Sequence, residues 1–159
     1  MRSFSIRQAI CPFSTVFLLF VANGCGAEQD YDAGECTDHD TYEYAKDGEC
    51  DDRRFIGTGM ASVLDRADDG KDSIDCSALL DVGLIHRVSK EAGIAATHCS
   101  AIDFGDDASP FANDGECDDI RFDGPGTASS ISIDDLLHDA DDCSAQCERG
   151  KIWLRMPDK

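Results

Sequence analysis

Asp47-Gly-Glu-Cys-Asp-Asp-Arg-Arg-Phe-Ile-Gly-Thr-Gly-Met-Ala-Ser62 is followed, 67 residues later, by Asp114-Gly-Glu-Cys-Asp-Asp-Ile-Arg-Phe-Asp-Gly-Pro-Gly-Thr-Ala-Ser129. At this offset residues 42–88 align with 109–155 without a gap, and 21 of the 47 positions are identical. A supersecondary unit present twice is the direct reading. It gives two tandem modules, 34–90 and 97–157, with a short joint around Ser89 to Thr97. The copies agree at cysteines, glycines and acids and diverge at most apolar positions. Crosslinks, turns and charge must therefore define the modules more than hydrophobic detail does. The expected fold class is small and disulfide-rich, mostly irregular with short helices and short strands, built as two tandem repeats.

Within each copy, Gly57/Gly124 and Gly59/Gly126 mark a turn. Ala61 to Leu64 and Ala128 to Ile133 read as one or two helical turns. Ser77 to Gly83 reads as a short helix with Gly83 ending it. Leu84 to Val88 and Lys151 to Arg155 read as short strands, the candidates for a small sheet shared between modules.

Outward from the repeat, the chain of 159 residues carries 33 acids against 14 bases, a formal charge of −19. Such a chain repels nucleic acid and anionic membrane surfaces, and its natural small partners are cations. Arg2 and Arg7 precede the apolar run Phe13 to Ala22, and small residues follow. This is the pattern of a secretory signal peptide, assigned to residues 1–24; the run is too short to span a bilayer. Val21-Ala-Asn-Gly-Cys25 also resembles a bacterial lipobox, which would make Cys25 the lipidation site. Ordinary cleavage after Gly24 or Ala27 is the alternative. Both readings export the chain, to the periplasm, the outer envelope or the extracellular space, and allow membrane contact only through a lipid anchor.

Nine cysteines suit that oxidising destination. Cys50 to Cys76 and Cys117 to Cys143 have the same spacing, which predicts two bridges within modules. Closing a loop of that size contributes about 3.5 kcal/mol in the chain-entropy picture. Cys99 and Cys147 flank the second pair and are expected to join. Cys36 pairs with Cys25 only if Cys25 is retained without acylation. A zinc site from Cys143 and Cys147 with His138 or His98 is the competing reading, and disulfides are preferred in an exported repeat.

Acids sit beside both half-cystines of each pair. The candidate metal ligands are Asp47, Asp51, Asp52, Asp68, Asp72 and Asp75 in the first copy. In the second they are Asp114, Asp118, Asp119, Asp135, Asp139 and Asp142, and Glu49 and Glu116 repeat among them. A Cys50–Cys76 bond would bring Asp51, Asp52 and Asp75 close together, where carboxylates repel. A hard dication with oxygen ligands relieves that cost, and outside the cell the expectation is calcium. The bland alternative is a solvated acidic face. Two features favour metal: the acids recur at fixed offsets from the cysteines, and Asp68/Asp72/Asp75 and Asp135/Asp139/Asp142 have a spacing that puts them on one face of a helical turn. Asp38-His-Asp-Thr-Tyr-Glu43 does not make an EF-hand loop.

The stretch from Gly105 to Ser129, Gly-Asp-Asp-Ala-Ser-Pro-Phe-Ala-Asn-Asp-Gly-Glu-Cys-Asp-Asp-Ile-Arg-Phe-Asp-Gly-Pro-Gly-Thr-Ala-Ser, resembles a bacterial secreted Cys/Asp-rich repeat. That family occurs in tandem, alone or beside trypsin-like or caspase-like peptidase domains. The second copy matches along 102–152, with Thr127 where methionine is usual. The first matches along 44–85, with Lys46 for the asparagine and Met60 retained. The resemblance implies a secreted module and no particular reaction. In chemistry alone the pattern is similar to LDL-receptor class A and Notch-type calcium repeats, with different cysteine spacing. No catalytic constellation is legible: none of His39, His86, His98 and His138 recurs in both copies, and no nucleophile elbow, zinc-protease or phosphate-loop motif occurs. Arg54/Arg121 and Phe55/Phe122 do recur, and read as an arginine pairing with the module's own acids and a buried anchor. The expected function is thus an exported, non-catalytic, calcium-binding interaction module at the cell envelope. The alternatives are a regulator or inhibitor-like partner of a secreted peptidase, and a metal-free structural envelope lipoprotein.

Overall fold

The computed structural model describes residues 43–158. The leader, Cys11, Cys25 and Cys36, and the start of the first module lie outside the described residues.

Three disulfides organise the chain: Cys50–Cys76, Cys117–Cys143 and Cys99–Cys147. All three pairings are the expected ones, two from their equal spacing and the third from its place flanking the second pair, and they take up the thiols that the zinc reading needed. The two bridges of separation 26 tie Cys50, in a loop, and Cys117, at the start of a short strand, to the first turn of a short helix. These helices are α1 (Ser73–Asp81) and α3 (Ala140–Glu148). Helix α1 starts earlier than its sequence reading, at the turn before Cys76. It ends as expected, with Gly83 at φ +75° and the N–H groups of Gly83 and Leu84 closing on Leu80 and Leu79 carbonyls.

In the first half β1 (Phe55–Gly57) pairs antiparallel with β3 (Ile85–Arg87). In the second β5 (Phe122–Asp123) pairs with β7 (Trp153–Leu154) in the same manner, Phe122 opposite Leu154 as Phe55 is opposite Arg87. The segments expected to build a shared sheet thus pair mainly within their own halves, and meet across only at the antiparallel Val88–Pro157 bridge, where Ser89 N–H donates to the Met156 carbonyl and Asp158 N–H to that of Arg87. The shared sheet comes from segments read as helical turns. Strand β2 (Val63–Asp65) pairs antiparallel with β6 (Thr127–Ser132), which also runs parallel to β4 (Cys117–Asp119). A helical turn at 61–64 would leave Leu64 facing its own loop. As strands, Leu64 meets Ile131 directly, and both are buried. The segment read as a joint is helix α2 (Lys90–Ala96), capped by the Ser89 hydroxyl accepting from the Ala92 N–H.

Three small cores follow from this arrangement. Phe55 and Ile85 pack on the Cys50–Cys76 bridge; Phe122 and Ile152 pack on Cys117–Cys143 and Cys147. Ala61, Leu64, Ala128 and Ile131 form the third, beneath β2 and β6. Two buried arginines tie the halves together. The Arg53 guanidinium donates to the Ala128 and Ser129 carbonyls and to Thr127 Oγ1. Arg155 donates back to the carbonyls of Arg53 and Phe55. Burial lowers the pKa of both, Arg155 to about 10, which leaves Arg155 charged at neutral pH.

Gly57 and Gly124 allow the β1–β3 and β5–β7 approaches. Both have positive φ, and a Cβ there would lie 2.2 Å from the Leu84 carbonyl oxygen or 2.3 Å from that of Lys151. Gly57→Ala and Gly124→Ala should each destabilise the oxidised protein by at least about 2 kcal/mol in denaturant unfolding. Gly83→Ala, where no atom stands within 4 Å, should cost less, about 1 kcal/mol, from backbone strain alone.

Candidate metal centre

In the first half, the loop before Cys50 and the segment leading into α1 converge on the disulfide. Asp72 immediately precedes α1, fully buried, and its Oδ2 accepts the Asp51 N–H at 2.9 Å. The same oxygen lies 3.4 Å from Cys76 Sγ, which as a half-cystine has no proton to donate. Asp51 is itself 7% exposed. Its carboxylate shares the nest with Asp47, Asp68, Asp72 and Glu49, and Asp75 stands beside Asp72. Asp75 Oδ2 accepts from the Gly48 N–H and Asp47 Oδ1 from the Glu49 N–H, so two of the acids brace the loop that carries the nest.

The second half repeats this contact for contact. Asp139 Oδ2 accepts the Asp118 N–H at 2.7 Å, Asp142 accepts from Gly115, and Asp114 accepts from Glu116. Asp118 is grouped with Asp114, Asp135, Asp139 and Glu116. Asp135 is fixed by the Ser109 hydroxyl, 2.6 Å from its Oδ1.

One oxygen of each central carboxylate has no donor. Asp51 Oδ2, Asp72 Oδ1, Asp118 Oδ2 and Asp139 Oδ1 are buried and unpartnered. Buried carboxylate oxygens without donors cost free energy, and like charges beside them add to it. Burial foremost, then the neighbouring carboxylates, pushes Asp51 and Asp118 up to about 7. Burial also pushes Asp139 up to about 6 against the opposing Asp118 N–H, and raises Asp72.

Asp52 and Asp119, both expected as ligands, are directed elsewhere. Asp52 accepts from the backbone and guanidinium of Arg54 and from the Gly70 N–H. Asp119 does the same with Arg121 and the Leu137 N–H. Both carboxylates are saturated, so the repeated arginine neutralises the module's own acid. Nor do the spaced acids share one helix. Asp68 and Asp135 end short 3-10 turns (Arg66–Asp68 and Ile133–Asp135), Asp72 and Asp139 precede α1 and α3, and Asp75 and Asp142 lie within them. The chain reverses between these elements, and it is this reversal that brings them together.

Asp107 was missed. It lies close enough to raise Asp139, and it accepts the Asp141 N–H. The signal for it was in the sequence: Asp40 stands 67 residues earlier, just outside the aligned window.

Each half also sets Cys–Asp–Cys donor atoms within 4.8 Å, but those sulfurs are in disulfides, which leaves only oxygen as a metal ligand. Among the described residues no helix is long and apolar enough to cross a membrane. Comparison with known proteins supplies no relative: no family model, curated protein or solved structure matches the chain.

The raised carboxyls set a pH dependence for the cation-free protein. Folded Asp51 and Asp118 keep protons up to about pH 7, whereas the unfolded chain releases them near 3.8. Between those values the native state binds more protons, so stability falls as pH rises. In chelator, the melting temperature should drop from pH 5 to pH 7.5, and Asp51→Asn with Asp118→Asn should flatten that slope. An unchanged slope in the double variant would place the titration elsewhere.

Proposed function

We propose that the chain is an exported, non-catalytic protein of two tandem modules, 34–90 and 97–157, each of which binds one calcium ion. The observation that carries this reading is the set of four buried carboxylate oxygens without donors, two in each half at positions 67 apart. Asp51 and Asp72 would hold the ion in the first module with help from Asp47, Asp68 and Asp75. Asp118 and Asp139 would hold it in the second, with Asp114, Asp135 and Asp142. A hard, oxygen-seeking dication suits a donor set from which sulfur is removed, and calcium tolerates the irregular shell that a loop and two helix starts provide. The three disulfides support an oxidising destination, where calcium is plentiful. Asp52 and Asp119 are left out of the ligand set.

Calorimetric titration of the oxidised protein with calcium tests this. Two ions per chain should bind, with a rise in melting temperature that grows with calcium concentration. Asp51→Asn should remove one site and Asp118→Asn the other, while each raises the melting temperature in chelator by relieving repulsion. Absence of heat and of thermal shift with calcium would end the reading.

A further inference from the structure

The two nests open on the same face. The first lies in a cleft of about 520 Å³ and the second in one of about 430 Å³. Val63 and Ser130, on the paired strands β2 and β6, line both clefts, so the two adjoin across this ribbon. Asp47, Glu49, Asp51, Asp65 and Asp68 line the first; Asp114, Glu116, Asp118 and Asp135 line the second. No lining residue of either is basic. One dication per nest would leave this surface strongly negative. Asp51 and Asp118, each more than nine-tenths buried, line the clefts, and each carries a carboxylate oxygen that has no partner, which marks both as places for positive charge.

A bare ion does not use everything the clefts offer. Each carries one aromatic ring at matching positions, Tyr44, 48% exposed, and Phe111, 54% exposed. Val63, 51% exposed, lies between them. Acids beside an exposed ring and an aliphatic side chain suit a long side chain with an apolar stem and a cationic head. A metal ion has no stem, and nucleic acid has the wrong sign of charge.

We propose that this double cleft docks a basic polypeptide segment. One Lys or Arg side chain enters each cleft, and the backbone between them crosses the ribbon over Val63 and Ser130. The inference deepens the calcium reading by naming the partner's chemistry, and rests on it only for the steady placing of the cleft floors.

The test uses the full oxidised protein and a fluorescent peptide with two lysines separated by a short Gly/Ser spacer, at physiological salt, in calcium and in chelator. Binding should be micromolar in calcium and weaken about tenfold when both lysines are acetylated. Tyr44→Ala with Phe111→Ala, which leaves the charge unchanged, should weaken it about fivefold through lost ring contacts. Asp81→Asn with Glu148→Gln, exposed acids outside the clefts, should change it less than about twofold. An unchanged affinity in the aromatic double variant, or an equal loss from the acids outside the clefts, overturns the docking face and leaves only general attraction to a polyanion. Calcium titration of the same samples separates the two readings. Calcium heat without peptide binding overturns the docking face alone, and peptide binding without calcium heat overturns the metal sites alone.

Discussion

A carboxylate held against a disulfide, with one oxygen beyond the reach of any donor, is the constraint on which the rest of this structure depends. Asp72 against Cys76 and Asp139 against Cys143 are such pairs, and Asp51 and Asp118 stand across from them. The sulfur bridge fixes the loop to the start of the helix, so the acids cannot relax apart by moving the backbone. The cost of their proximity is then relieved by a proton or by a cation. Disulfides usually stabilise small domains whose cores are thin. Here they also hold charge in a place it would otherwise leave.

The halves meet through the ribbon of β2 and β6. Leu64 pairs with Ile131, and the two positions are 67 residues apart, so equivalent residues face each other across a local two-fold axis. Elements on either side of that axis correspond: β1–β3 with β5–β7, α1 with α3, and the two acidic clefts with each other. Where the halves differ, the differences hold the assembly together. Arg53 and Arg155 reach across, and neither has an arginine at the position 67 away. Cys147 joins Cys99 in the second half where the first has Leu80, partly buried against its own core.

Two further clefts are lined in part by residues 67 apart whose polarity differs at four positions. One contains Arg53, Arg66, Asp69 and Asp123; the other contains the counterparts Ile120, Ile133, Leu136 and Ile56. On the charged side Arg66 donates to the Gly124 carbonyl and Thr127 Oγ1, adding to the tie that Arg53 makes. On the other side the four aliphatic chains stand beside Arg155, whose guanidinium donates to the Ile120 carbonyl. The acidic nests kept their residues in both halves while these clefts did not, so the chemistry retained twice is that of the carboxylates beside the disulfides.

The sequence by itself determined what covalent spacing and local chemistry dictate. It determined the two equal cysteine pairs, the acids beside them, the glycine that ends α1, and Phe55 and Phe122 as buried anchors. These follow from one residue's own preferences or from an offset that can be counted along the chain. Tertiary structure alone decided which acids face one another and which segments pair between halves. Asp52 and Asp119 read like their neighbours Asp51 and Asp118, but a strand-like turn sends adjacent side chains in opposite directions, one to an arginine and the next into the nest. Residues 61–64 and 128–133 are too short for periodicity to separate a helical turn from a strand. They became strands because Leu64 and Ile131 find in each other the burial that neither finds in its own half.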